Sequence, residues 1–316
     1  MKRIIAMALC LMMVFALCAC GDNGGDTTSL IFTTGSETGT YFAVGGDISQ
    51  LASTKDGLSI TAIAGKGSQA NIEALAAGTA QLGLVQSDVM SYAYSGTKTF
   101  TEKVEGFSTV AALYMEQVQI VTMDPDIKTV ADLKGKTVSI GEAGSGVYFN
   151  ALDVLAAYDM TEADIKAEKL SFTDSADNLK DGKIDAAFIV AGAPTTAITD
   201  LSVGGQVYLV GFDAEHVQKL ISMCPYYKEN VIAKDVYNTP DDVTTVAVAA
   251  VVLASNDASE DAVYNFLTAT FNDLDDLTKA HAKGAELSLD FASSITNVPY
   301  HPGAVKFFAE NNITVK

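Results

Sequence analysis

Five times along this chain a short apolar run ends in small polar residues, and a helical pattern begins at once. Leu30-Ile31-Phe32 leads into Thr33-Thr34-Gly35-Ser36-Glu37-Thr38-Gly39-Thr40, after which Tyr41, Val44, Ile48 and Leu51 recur at helical spacing. Ile60–Ile63 leads into Gly65-Lys66-Gly67-Ser68, and a helix is expected from about Ser68, a fitting N-cap, to Ala77, with Gly78 fitting the position beyond it. Gln81–Val85 ends in Gln86-Ser87-Asp88, and Thr137–Ile140 runs into Gly141-Glu142-Ala143-Gly144-Ser145-Gly146. Ala186–Val190 runs into Ala191-Gly192-Ala193-Pro194. Such turns aim backbone N–H groups and hydroxyls at one point beside the positive end of a helix, which favours a small anion. One such turn serves equally for tight packing. Five of them point to a cleft, because in α/β folds the C-terminal strand ends line the ligand crevice.

The rest of the chain extends this alternation. The first β-α-β-α-β run ends near Tyr114, and Val118–Met123 reads as a separate crossing strand. Helices are expected near Val147–Tyr158, Ser175–Lys180, Thr195–Leu201 and Asp213–Lys219. Pro225–Pro240 carries the densest loop signals, and Val243–Ala254 reads as a long strand crossing back. Glu260–Ala280 reads as one amphipathic helix, and His301-Pro302-Gly303-Ala304 opens the last. The expected fold class is α/β, with two lobes joined by two crossing strands. Lobe I takes residues 29–117 and 250–316, and lobe II takes 118–249. Roughly 290 residues exceed one comfortable core, which agrees with two lobes.

Residues 1–19 read as a signal peptide, with Lys2 and Arg3 before the apolar Ile4–Leu17. Leu17-Cys18-Ala19-Cys20 resembles a bacterial lipobox, making Cys20 the lipidated thiol and residues 20–28 a tether; an ordinary secretory signal is the alternative. An extracytoplasmic, lipid-anchored protein is expected. Cys224 is then the one cysteine left, which excludes a disulfide framework and suits a small buried hydrophobe. The net charge of −19 becomes −21 once Lys2 and Arg3 are removed, and it argues against nucleic acid as a partner. Arg3 is the only arginine, so no guanidinium fork is left to clamp a carboxylate. An anion must be held by backbone N–H groups, hydroxyls, amides or a lysine.

Taken in order, the motifs resemble the TAXI class of extracytoplasmic solute receptors for TRAP transporters. The resemblance is carried by Thr34-Gly35…Gly39-Thr40-Tyr41, Lys66-Gly67-Ser68-Gln69-Ala70-Asn71, Leu84-Val85-Gln86-Ser87-Asp88 and Ala112-Leu113-Tyr114. It continues through Asp132-Leu133-Lys134-Gly135-Lys136, Gly144-Ser145-Gly146, Asp181-Gly182-Lys183-Ile184-Asp185-Ala186, Ala191-Gly192-Ala193-Pro194 and His301-Pro302-Gly303-Ala304. It implies a type II periplasmic-binding-protein fold and a small organic acid, often an amino acid or a dicarboxylate, between the lobes. It also implies delivery to a TRAP-type membrane permease driven by an ion gradient. Two departures concern the ligand: Val147-Tyr148 follows Gly146, and Lys234-Asp235-Val236-Tyr237 stands where the family has Gly-Thr-Tyr.

The candidate ligand contacts are Gly39, Thr40, Tyr41, Lys66, Gly67, Ser68, Asn71, Gln86, Ser87, Ser145, Gly146, Tyr148 and Gly192. Thr40 offers a hydroxyl at a helix start, and Gln86 and Ser87 follow a buried strand where unpaired polar groups are costly. Gly192 admits close backbone approach. Lys66 is the only lysine in the cradles; a solvated surface role suits it as well. The three histidines have no metal-ligand spacing, no nucleophile is paired with a base, and no cofactor motif occurs. A binding lipoprotein of an ATP-driven importer, a secreted enzyme and a surface sensor are the rival readings.

Overall fold

The computed structural model describes residues 28–54 and 57–316. The signal peptide, Cys20 and the tether up to residue 27 lie outside them, and Thr28, expected in the tether, opens the first strand. The strands are β1 (Thr28–Thr33), β2 (Leu58–Ile63), β3 (Leu82–Gln86), β4 (Phe107–Thr122) and β5 (Thr137–Ser139). They continue as β6 (Lys166–Glu168), β7 (Ala186–Ala191), β8 (Tyr208–Leu209), β9 (Lys228–Ile232) and β10 (Val243–Ser255). The helices are α1 (Thr40–Ser53), α2 (Ser68–Ala76), α3 (Ser87–Ser95), α4 (Gly146–Ala157), α5 (Phe172–Lys180) and α6 (Thr196–Gly204). They end with α7 (Ala214–Met223), α8 (Glu260–Asn272), α9 (Leu274–Ala280), α10 (Leu289–Ala292) and α11 (Pro302–Glu310). Among the described residues no helix is long and apolar enough to cross a membrane.

One sheet runs β2-β1-β3-β10-β4-β7-β5-β6, with β8 on β4 and β9 on β10. Its two wings are parallel, as strand–helix–strand units require: β1 pairs β2 and β3, and β5 pairs β6 and β7. Between the wings β4 and β10 run antiparallel, and each changes partner along its length. β10 pairs β9 from Val243 to Ala247 and β3 from Ala250 to Ala254, while β4 takes β7 from Gln117 onward. These are the two crossing strands. One core gathers Phe32, Ile48, Leu84, Leu113, Phe266 and Phe308 on one side of the crossing. Another gathers Val118, Val138, Val154, Phe188, Val246 and Val248 on the other. The expected class, α/β with two lobes and two crossings, is the observed one.

Local expectations needed correction in four places. Tyr114 and Val118 belong to one continuous strand, because the polar pair Glu116-Gln117 that interrupts the apolar run is buried inside β4. The segment from Glu260 to Ala280 is two helices, broken at Asp273, where φ −126° and ψ 38° leave the helical region. The loop-rich Pro225–Pro240 contains β9, whose mostly exposed residues give no apolar alternation to read. The N-cap of α2 is Gly67, at φ +101°, and Ser68 is its first helical residue.

Candidate ligand-binding cleft

Four helices start around one cavity of about 50 Å³ between the lobes. From the first lobe come Gly39, Thr40 and Tyr41 at the head of α1, and Gly67 and Ser68 at the head of α2. From the second come Ser145, Gly146 and Val147 at the head of α4, and Ser171 and Phe172 at the head of α5. Each start follows a strand end, so the topology brings them together. The first N–H groups of a helix lack intrahelical partners and are normally met by a capping side chain. The starts of α1, α2 and α4 have no side-chain cap, although Ser145 is a residue type well suited to supply one. The Ser145 hydroxyl is buried and has no hydrogen-bond partner. The heads of α1 and α4 thus bring helix dipoles without a side-chain cap to the cavity, as an anion site requires, whereas Ser171 caps α5 and Ala70 N of α2 already donates to Gly144 O.

The opposite wall carries acceptors. Gln86 lines the cavity, and its buried Oε1 has no partner, while its backbone N–H donates to Ser68 Oγ at 3.0 Å. Glu116, 1% exposed, also lines the cavity and accepts from Tyr41 Oη at 2.5 Å. Burial is the main reason that its carboxyl is pushed up to about 8. Burial and the Glu116 charge together raise the Tyr41 phenol well above its ordinary value. Lys66 lies exposed at the rim, and Glu142 joins the lining from the second lobe. Val147, Leu170, Phe172 and Val190 supply an apolar side.

The lobes are closed on each other. Thr40 Oγ1 donates to Gly192 O at 2.6 Å, Ala197 N donates to Thr38 O at 3.1 Å, and Ala70 N donates to Gly144 O at 3.0 Å. Gly146 is where they come nearest: a Cβ there would run into Gln86 Oε1 and stand 2.7 Å from Ser68 Oγ. A second inter-lobe contact lies beyond Gln86. Asn150 Nδ2 donates to Asp88 Oδ2 at 2.9 Å and to Tyr227 Oη at 2.7 Å, and Lys98 pairs with Asp153 at 2.7 Å. Burial, with Asp153 nearby, pushes the Asp88 carboxyl up to about 7. Cys224 is buried as expected, yet it is more than a hydrophobe, since its thiol donates to Asp153 at 3.4 Å.

Of the sequence candidates, Gly39, Thr40, Tyr41, Lys66, Gly67, Ser68, Gln86, Ser145 and Gly146 line the cavity. Four others lie elsewhere. Asn71 spends its side chain tying β1 to β3, accepting from Thr33 Oγ1 and donating to Thr34 O and Leu84 O. Ser87 is not among the residues lining the cavity, and its hydroxyl accepts from Ala249 N at 3.2 Å. Tyr148 donates to Glu162 at 3.0 Å, with Lys169 above its ring. Gly192 acts in closure: its carbonyl meets Thr40, and an added Cβ would stand 2.6 Å from Lys283 Cε. Thr40 lines the cavity, but its hydroxyl proton goes to Gly192, leaving the backbone to serve a ligand. Glu116, Glu142 and Phe172 were missed. The sign for Glu116 was there: two adjacent polar residues inside a run that is otherwise apolar.

A family model described as the NMT1-like family matches residues 32–311. Among solved structures, the chain is similar to the alkanesulfonate-binding protein SsuA from Xanthomonas axonopodis pv. citri bound to MOPS, at 16% identity and TM-score 0.53 over 93% of this chain and 96% of that one. It is similar to MatC from Rhodopseudomonas palustris with bound malate, at 15% identity and TM-score 0.56 over 81% and 88% of the two chains. An ancestral arginine-binding protein bound to arginine gives 17% identity and TM-score 0.51 over 81% and 97%. At these identities the likeness is one of fold. The chain belongs to the NMT1-like family, and its fold is that of the type II periplasmic binding proteins.

Proposed function

We propose that this protein is an extracytoplasmic solute receptor of the TAXI class. It captures a small organic acid between its lobes and presents the closed form to a TRAP-type permease, while a lipid on Cys20 holds it at the membrane. The lobes divide at 117/118 and 249/250, and the protein does no chemistry on its cargo. One observation carries this reading: three helix starts without side-chain caps, joined by the unpartnered Ser145 hydroxyl, surround a cavity that exists only between the two lobes. A ligand acid group bridging α1 and α4 is satisfied at both ends only in the closed form, so binding favours closure. Charge-assisted hydrogen bonds net about 1.5–3 kcal/mol each. Four or five of them at the upper end of that range offset the ordering costs and leave about −8 kcal/mol, the micromolar scale. The cargo classes of the structural neighbours, a sulfonate, malate and arginine, include small acids of this kind.

The test is thermal unfolding of the purified protein, stripped of carried-over ligand by partial denaturation, against amino acids, 2-oxo acids, dicarboxylates, sulfonates and sugars. At 100 times its dissociation constant a ligand adds about 2.7 kcal/mol, a rise of several degrees. The expected result is a rise confined to small acids, without turnover. A rise with sugars alone, or consumption of the bound acid, contradicts the proposal.

A further inference from the structure

We propose that Glu116 is a cation acceptor in the cleft, so that a protonated amine is a required part of the cargo: a small zwitterion, with its acid group at the starts of α1 and α4 and its ammonium on Glu116. This rests on the receptor reading above and narrows its ligand class. Glu116 is buried, lines the cavity, and has no lysine or histidine nitrogen within 4.0 Å among the described residues. The nearby Lys283 is committed to Glu286 at 2.6 Å and to Met115 O at 3.3 Å. A buried carboxylate without a partner charge is strongly disfavoured, and burial holds this one up near 8. A cation in the cleft lets it stay ionised at neutral pH.

Two further atoms point the same way. Gln86 Oε1 is a buried acceptor without a donor, and the Gln86 side chain also lies against the Glu116 carboxyl. The Ser145 hydroxyl, likewise unpartnered, accepts as readily as it donates. An ammonium is a donor only, with three N–H groups, and carboxylate, amide oxygen and hydroxyl are three acceptors. A second carboxylate or a keto oxygen in that place would leave Gln86 Oε1 without a donor and set acceptor against acceptor there. The 50 Å³ cavity holds about three to five water-sized groups. With Val147, Leu170 and Phe172 alongside, that volume suits a short uncharged side chain.

The test is titration calorimetry of the stripped protein with matched pairs: L-alanine against L-lactate and pyruvate, and taurine against ethanesulfonate. Each amine-bearing member is expected to bind at least 100-fold more tightly than its partner. In Glu116→Gln, checked for fold by circular dichroism, the gap between L-alanine and L-lactate is expected to shrink to under tenfold. A residue that only supports the fold would weaken both ligands alike. The proposal is overturned if an amine-free acid binds as tightly as its amine partner, or if the gap persists in E116Q. The matched pairs are measured on the unaltered protein, so that arm stands even if the variant misfolds. If no acid of either kind binds, the receptor reading fails with it; binding of succinate alone overturns only the present inference.

Discussion

Thr40, Ser68 and Gly146 open helices without side-chain caps, whereas the helices opening at Ala214, Glu260, Leu289 and Pro302 are each capped by the residue before them. Asp213, Ser259, Ser288 and His301 accept from a backbone N–H one turn in, and none of them lines the cleft. The division is not absolute, since Ser171 lines the cleft and caps α5 while α6, away from it, has no side-chain cap, but α1, α2 and α4 all open uncapped at the cleft. In the first turn of α2 the Ala70 N–H is met by Gly144 O across the cleft, whereas a buried N–H left unmet at the heads of α1 and α4 would be costly. The difference is intelligible if a ligand completes the inner set.

The largest expected effect comes from the point of closest approach. Gly146→Ala places a methyl against Gln86 and Ser68 in the closed form, yet it sits at a helix start that alanine favours. Ligand affinity by calorimetry should fall at least 100-fold while the melting temperature of the ligand-free protein holds or rises. Equal loss of both would break the comparison, because Gly146 would then be a folding residue.

Next come the caps themselves. Ser259→Ala removes the bond to Ala262 N and should cost about 1 kcal/mol, or 2–4 °C in melting temperature, with affinity unchanged. Ser145→Ala should do the reverse. Its hydroxyl caps nothing in this form, so stability should hold, and affinity should fall by about tenfold for one lost hydrogen bond. Stability losses of the same size in both variants would erase the distinction.

The contact beyond Gln86 gives a pH test. The Asp88 carboxyl, ordinarily near 3.8, is pushed up to about 7 in the closed form, so between those values the folded protein holds a proton that the unfolded chain has lost. Stability from this group is therefore full at low pH, declines as pH rises toward 7, and levels off above it. Asp88→Asn should make that decline shallower, leaving the part due to Glu116, whose buried carboxyl is pushed up to about 8. Asp153, Lys98, Cys224, Tyr92 and Tyr227 surround the same site and remain in the variant. A profile identical to that of the unaltered protein would show that Asp88 is not the group titrating. The smallest effect is expected from Lys66→Ala: exposed at the rim, Lys66 should change affinity less than threefold, and less still in high salt.

Much of the fold was legible because it depends on local grammar. The five strand–turn–helix junctions, the two crossings and the His301-Pro302 start can all be read from short windows. The cleft was legible as backbone: Gly39 to Tyr41, Gly67, Ser68, Ser145 and Gly146 sit where strand ends put them. The candidates that lie outside the cavity do so because of their tertiary partners. Asn71 and Ser87 have types that suit ligands, but Thr33, Leu84 and Ala249 claim them first. Tyr148 lies on the wrong face of α4, against Glu162. Glu116 was missed because a polar pair in an apolar run reads as a strand boundary, and only the register of β4 with β7 and β10 shows it to be buried.

The most direct test of the inner helix starts is residue-resolved amide exchange, by NMR, of the stripped protein with and without saturating L-alanine. The account predicts the largest gain in protection at Thr40, Tyr41, Gly146 and Val147, with no change at Ala214 to His216 or Glu260 to Ala262. Equal protection at capped and uncapped starts, or protection confined to the outer helices, would contradict it.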